Sequence, residues 1–341
     1  MYQWKPKRVI FEPQALEYER GQRLYRLFSQ QSGVELGKTS SHNRVTGIPG
    51  KTAWEMYEEA KRTLVVGVRK SKEFATCKPS AHFQLPLSTS CPGKCEYCYL
   101  NTTLGKKPYV RIYVNIEEVL GKAGEYIQAS LPEQTIFEGA ATGDPLAVED
   151  YSDALKTAIA YFADQPNGRF RFVTKFTNVD SLLDIEHSGH TRFRFSLNTE
   201  QIIGRFERGT PRLVDRIRAA RKAGLAGYPL GFLIAPIFIY PGWQDDYRQM
   251  LTGLAEQMGS ENPDITFELI THRYTARARS NILDRNPNSR LPMLDEERRY
   301  KYGQFGYGKY VYPQDTYDQV RQFFQTTIAE LFPQAVIDYL V

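Results

Sequence analysis

Between His82 and His272 short strand-like stretches alternate with longer helix-like ones, and this alternation predicts an α/β fold whose βα units close a parallel sheet. Two further observations frame it. A chain of 341 residues is long enough for one large domain or two ordinary ones. Three of its four cysteines fall in one ten-residue stretch directly after the first strand, so the fold carries chemistry at a strand end.

The elements follow in order. Residues 1–80 read as a small α/β extension: Val9-Ile10-Phe11 is a short apolar run, Leu16, Tyr18, Leu24, Leu27 and Phe28 recur at helical spacing, and 63–68 is a strand candidate. The polar, Gly/Ser-rich stretch 37–50 reads as loop. Strands are predicted at 82–87, 135–138, 169–174, 192–197, 230–235 and 265–270, with helices at 115–130, 149–163, 211–223 and 244–258. Asn115 suits the cap of the first helix, and Thr210 precedes a proline at the first turn of the third. Beyond His272, two aromatic stretches interrupted by glycines predict a hairpin with Gly306 or Gly308 at a turn or bulge. A closing helix over 316–331 puts Tyr317, Val320, Phe323, Phe324, Ile328 and Leu331 on one packing face. The expected division is 1–80, 81–272 and 273–341.

No stretch is apolar for the length that a membrane helix needs, and the first residues lack the apolar core of a signal peptide, so a cytoplasmic protein with no membrane association is expected. A net charge of +5 permits a polyanionic partner without demanding one. The five histidines show no metal-binding spacing.

The cysteine stretch reads Cys91-Pro92-Gly93-Lys94-Cys95-Glu96-Tyr97-Cys98-Tyr99-Leu100, a C-x3-C-x2-C spacing. Three thiolates on one short loop can converge on three irons of a cubane cluster and leave the fourth iron open to an outside chelator, where electron-transfer clusters take four cysteines. Structural zinc, or three unrelated buried cysteines, are the competing readings.

With Tyr97 before its last cysteine, this loop resembles the cluster signature of the radical S-adenosylmethionine superfamily. Within it the chain resembles the spore photoproduct lyase family over nearly its whole length, from Arg8-Val-Ile-Phe-Glu-Pro through Cys98-Tyr-Leu and Gly143-Asp-Pro to the tyrosine-rich segment near Tyr302. The resemblance implies a partial (β/α)6 TIM-type barrel with an N-terminal α/β extension and a C-terminal β-hairpin plus helix. It also implies a 4Fe-4S cluster on Cys91, Cys95 and Cys98, with S-adenosyl-L-methionine as cofactor. In parallel barrels chemistry gathers at the C-terminal strand ends. There stand Asp144, Lys175, Ser196 with Asn198, and Ala235, and in similar enzymes these positions, with Tyr97 as an aromatic contact, bind the cofactor.

The implied reaction is DNA repair: a 5'-deoxyadenosyl radical takes the C6 hydrogen of 5-thyminyl-5,6-dihydrothymine, two thymines re-form, and the cofactor is regenerated. Tyr99 is the expected hydrogen relay, with Tyr97 beside it. Implied partners are UV-damaged double-stranded DNA and an electron donor such as flavodoxin or ferredoxin, in the bacterial spore core. Here the sequence departs from its family. Similar enzymes carry a hydrogen-donating cysteine at the position aligned with Ala141, and alanine has no transferable hydrogen. The chain therefore reads as an engineered donor-cysteine variant impaired in hydrogen return, unless Cys77 supplies the hydrogen as a natural replacement or the alignment at Ala141 is wrong.

On the substrate side Arg273, Tyr274, Arg279, Tyr302, Tyr307, Lys309 and Tyr310 have the composition for phosphate contacts and for a wedge into a vacated base stack. The alternatives are a radical enzyme acting on a peptide or metabolite, which the basic aromatic hairpin disfavours, and a binding protein with a structural cluster, which the missing fourth cysteine disfavours.

Overall fold

The structure, a computed structural model, describes residues 4–42, 45–71, 73–259, 264–302 and 308–341. The chain divides into two compact units, 1–93 with 103–192 and 94–102 with 193–341.

In the first unit one sheet has the strand order Glu35–Lys38, Arg8–Phe11, Thr63–Gly67, Val110–Tyr113, Ser88–Thr89. The first four are parallel and the last antiparallel. Three of these strands are buried throughout, two of them carrying a buried arginine, Arg8 and Arg111, among apolar residues. The helix Ala53–Lys61 starts at a capping box of Thr52 and Glu55. The strand Val110–Tyr113 was not predicted: the sheet of the N-terminal extension takes a strand from beyond the cysteine loop.

A second set of strands in this unit pairs Thr76–Cys77 antiparallel with Ala81–Leu85, then Thr135–Gly139 and Gly168–Thr174 in parallel. Phe137, Phe162, Phe170 and Phe172 fill the space beneath the helices Ile116–Ser130 and Ala154–Ala163. Asn115 precedes the first of these helices but does not cap it, because its amide bonds both backbone groups of Arg69 instead. The single helix expected over 149–163 is broken at Asp153, whose φ is +49°.

At that break Glu149 is buried and accepts from the amides of Leu155 and Lys156 at 2.9 Å, capping the second segment from within. Burial pushes its carboxyl up to about 7, against the pull of those amides. A carboxyl raised from its ordinary 4.5 favours the folded state below that value, and the contribution is lost as pH rises through the folded pKa of about 7. Denaturant titrations should therefore show stability falling between pH 4.5 and 7 by at most about 3 kcal/mol from this group, and Glu149→Gln should remove that part of the slope.

In the second unit Thr191–Leu197, Leu230–Ile237, Ile265–Thr271 and Val336–Leu340 are successive parallel neighbours. The last strand was not predicted, nor were the helices Glu200–Phe206 and Ala276–Arg285. The helices Leu213–Leu225, Trp243–Met258 and Gln314–Leu331 lie close to their predicted places. The last two pack through Trp243 on Phe323 and Tyr247 on Phe324, with ring centroids 5.0 and 5.3 Å apart. Thr210 is not a helix cap. The helix starts at Leu213, and the threonine hydroxyl donates to the carbonyl of Glu207.

The predicted hairpin is present as Arg299–Tyr302 against Gly308–Val311, with Tyr300 opposite Tyr310 and Lys301 opposite Lys309. A Cβ on Gly308 would lie 2.0 Å from the end of the Tyr300 ring, so a larger residue there would require that exposed ring to move. The turn, with Gly306 and Tyr307, lies outside the described residues. No helix among the described residues is long and apolar enough to cross a membrane.

Candidate functional site

In the first unit the residue before the cysteine loop is locked from two sides. Ser90 donates its amide to the carbonyl of Thr142 at 2.7 Å and forms a parallel bridge with Gly143, whose Cβ would stand 2.6 Å from the Ser90 carbonyl. Lys61, only 1% exposed, donates to the carbonyl of Cys91 at 2.8 Å and to the Ser90 hydroxyl at 3.3 Å. Glycine at 143 thus lets the turn after the strand Thr135–Gly139 close onto the start of the cysteine loop. Ala140 in that turn has φ +52°, and the half-buried Ala141 follows it.

Asp144 joins the same patch. One carboxylate oxygen accepts from the Thr174 hydroxyl at 2.7 Å and the other from the amide of Lys175 at 2.9 Å. Burial pushes this carboxyl up to about 6, opposed by the Lys175 amide and the Thr174 hydroxyl. The structure therefore brings Cys91, Ala141, Asp144 and Lys175 together, with Asp144 tying two strand ends to each other. Cys77 stands elsewhere. It pairs with Ala81 at the start of a strand whose other end, Leu85, is level with Gly139.

In the second unit Lys94–Cys95 form a short antiparallel ladder with Glu207–Arg208. Glu207 organises the surroundings. It accepts from the Tyr97 hydroxyl and, at 2.6 Å, from Arg216, both side chains of this ion pair being fully buried. Arg216 also donates to the carbonyls of Ser196 and Pro211 at 3.0 Å and to the Thr210 hydroxyl at 2.8 Å. Burial and the Glu207 carboxylate hold the Tyr97 phenol well above its ordinary range, so it stays a donor.

Glu96 accepts from Ser289 at 2.7 Å and Asn286 at 3.2 Å, and Arg285 donates to the carbonyl of Asn101. Asn198 is wholly buried, donating to the Pro236 carbonyl at 2.8 Å and accepting from the Tyr247 hydroxyl at 2.9 Å. Cys95, Tyr97, Ser196, Asn198 and the Ala235 strand end are thus linked in one patch, while Tyr99 is 63% exposed. Lys61, Glu207, Arg216 and the 285–289 clamp were missed by sequence reasoning.

On the hairpin, Lys301 and Lys309 face each other directly, a like-charge pairing that an anion relieves. Burial, then Arg273 and Lys301, lower the Lys309 ammonium. Tyr302 is exposed, whereas Tyr274 is buried, stacked on Tyr310 and bonded to it through both backbones. Those two rings fasten the hairpin down. Arg279 pairs with Asp295 at 2.9 Å.

None of the four cysteines is disulfide-bonded; Cys95 is buried and Cys91 and Cys98 are half-buried. Among the described residues no three His, Cys, Asp or Glu side chains stand in ligating geometry. The donor set itself, three thiols within eight residues on an anchored backbone, suits an iron-sulfur cubane with one open iron.

Fold and site together define an α/β partial-barrel protein with a three-cysteine loop at a strand end. The chain belongs to the spore photoproduct lyase family, whose sequence profile matches residues 4–341. The radical S-adenosylmethionine, iron-sulfur character expected of the loop follows from that membership. The chain is 47% identical over 335 residues to the spore photoproduct lyase of Clostridium acetobutylicum and 46% identical to that of Bacillus subtilis strain 168, covering 98% of each chain in both comparisons. Among solved structures it is similar to a spore photoproduct lyase complexed with dinucleoside spore photoproduct, with TM-score 0.96, 45% identity and 99% of both chains covered. A second similar structure, also at TM-score 0.96, 45% identity and 99% of both chains, is a double mutant, cysteine to alanine and serine to cysteine, with bound AdoMet and the same dinucleoside.

Proposed function

We propose that the chain is a DNA-repair lyase that splits spore photoproduct into two thymines. The observation that carries this is the full-length structural likeness, TM-score 0.96, to a relative complexed with the dinucleoside lesion. Cys91, Cys95 and Cys98 would hold the cluster, and Asp144, Lys175, Ser196, Asn198, Ala235 and Tyr97 would bind the cofactor. When bound, cluster and cofactor supply the 5'-deoxyadenosyl radical that removes the C6 hydrogen of the lesion.

The chain's own residues do the rest. In the first unit Lys61 and the Gly143 turn fix the entry to the cysteine loop, and in the second Glu207 and the 285–289 clamp fix its later part. Ala141 occupies the donor position without a hydrogen to give. Arg273, Tyr302 and the Lys301–Lys309 pair receive the DNA backbone, an acidic flavodoxin or ferredoxin supplies electrons, and the protein works in the cytoplasm of the spore.

The function is tested by anaerobic turnover of cluster-loaded protein on an oligonucleotide containing the lesion with deuterium at C6. Deuterium in 5'-deoxyadenosine is the expected result. Cofactor cleavage without any transfer would move the search to another substrate. For the DNA surface, Lys309→Ala should weaken binding of lesion-free and lesion DNA alike and reduce the salt slope of log K by about 1, as expected of one phosphate contact. An unchanged slope would take Lys309 out of the interface.

A further inference from the structure

The excess charge of this chain is concentrated in one stretch of the second unit. Residues 205–222 hold seven Lys or Arg and two acids, an excess equal to the net charge of +5 of the whole chain, so the rest of the sequence is in balance. One of the seven, Arg216, is turned inward onto Glu207. The other six, Arg205, Arg208, Arg212, Arg218, Arg221 and Lys222, are exposed. The second acid, Asp215, is shared by Arg212 and Arg218 at 3.4 and 3.3 Å.

Local structure does not account for such a surface. Arg212 occupies the N-cap of the helix Leu213–Leu225, where the helix dipole disfavours a cation. Arg218 stands three and four residues before Arg221 and Lys222, spacings at which like charges weaken a helix. Arg208 lies directly opposite Lys94 on the short ladder, again like against like. An acidic body against this face relieves all three. The face is not purely charged, because Val214 and Leu225 are exposed on the same helix by 45% and 64%. Apolar side chains among arginines suit a protein surface better than a phosphate backbone, which is gripped by charge and hydrogen bonds.

The patch also adjoins the cysteine loop. Arg208 and Lys94 are the neighbours of Glu207 and Cys95, which pair on the same ladder, and Arg216 ties the helix to that Glu207. We propose that the 205–222 surface docks the acidic one-electron carrier protein that reduces the cluster. The inference deepens the reading of the chain as a cluster-bearing lyase and rests on it. The step moves a single electron: the carrier is oxidised by one, the cluster is reduced by one, and no bond forms or breaks. Opposite charge steers the carrier to this face, and Val214 and Leu225 supply apolar contacts.

The test needs no DNA. Cluster-loaded protein is mixed with flavodoxin hydroquinone in a stopped-flow instrument, and reduction of the cluster is followed by its absorbance. Arg221→Glu combined with Lys222→Glu should lower the second-order rate constant by at least about tenfold at low ionic strength. The gap should close towards 1 M salt, where the screening length falls to about 3 Å. Full reduction by dithionite and an unchanged unfolding midpoint establish that cluster and fold are intact in the variant. Equal rate constants for parent and variant, or a difference that salt does not alter, overturn the dock.

Lesion-free DNA is titrated against the same two proteins. Its affinity should be unchanged. A salt slope of log K reduced by about 2, with the carrier rate unaltered, assigns the face to phosphates instead and also overturns the dock. The lyase reading is judged separately by deuterium transfer from the lesion: if none occurs while the variant slows the carrier, that reading falls and the dock stands.

Discussion

Ala141→Cys is expected to raise the thymine formed per cleaved cofactor by about tenfold or more, equivalent to at least ~1.4 kcal/mol off the barrel's hydrogen-return barrier. The reason is local. A thiol hydrogen is weakly held and an alanine methyl hydrogen is not, so the present residue cannot quench a carbon radical. The turn that holds position 141 is already built, with Ala140 at φ +52° and Gly143 closed onto Ser90, and the cysteine adds one sulfur to a half-buried Cβ. Product analysis by mass spectrometry reads the yield directly. An unchanged yield, with the variant folded and cleaving cofactor, would show that hydrogen return in this chain does not pass through position 141.

A companion Cys77→Ser variant separates the two remaining sources. Cys77 pairs with Ala81, four residues before Leu85, which is level with Gly139, a separation of about 13 Å along that strand at the rise of a β-strand. If the parent's residual yield survives this change, the hydrogen comes from the phenols. If it vanishes, Cys77 reaches the substrate from the other end of the strand.

Much of this was legible in the sequence because strands carry their own signature. Arg169–Thr174 and Arg192–Leu197 each alternate Arg and Phe with the two-residue period of a strand, and both were placed within a residue of their observed limits. The cysteine loop was legible from spacing, and Asp144 and Lys175 from their place at strand ends. Caps were less so: Asn115 and Thr210 have the right chemistry for a helix start, but Arg69 and Glu207 compete for their side chains, and a local rule cannot see such partners. The same limit hid the framework of the site. Lys61, Glu207 and Arg216 are charged residues that sequence statistics assign to the surface, and their burial depends on partners 9 to 110 residues away. Ala276–Arg285, with its polar ARARSNILDR sequence, shows too few apolar positions to announce a helix.

That framework yields the largest expected loss of stability. Glu207→Gln should destabilise the protein by about 3–5 kcal/mol, because it leaves the Arg216 guanidinium charged, wholly buried and without its counter-ion. Glutamine keeps the shape and can still accept from Tyr97, so the loss is one of charge and not of packing. Arginine cannot escape by giving up its proton. A carboxylate can escape by gaining one, and so Arg216→Met should behave differently: Glu207 would then bind a proton in the folded state, with stability present at low pH and lost as pH rises past the ordinary carboxylate range. Thermal unfolding across pH distinguishes the two, with a midpoint drop on the order of 5 °C at neutral pH for Glu207→Gln in a chain of this length. The Glu207 variant should also hold iron less firmly after reconstitution, since the ladder to Cys95 and the Tyr97 bond share that residue. Equal unfolding midpoints for parent and Glu207→Gln would mean that the ion pair adds nothing over a neutral contact, and that the cysteine loop is held by its backbone ladder and the 285–289 clamp.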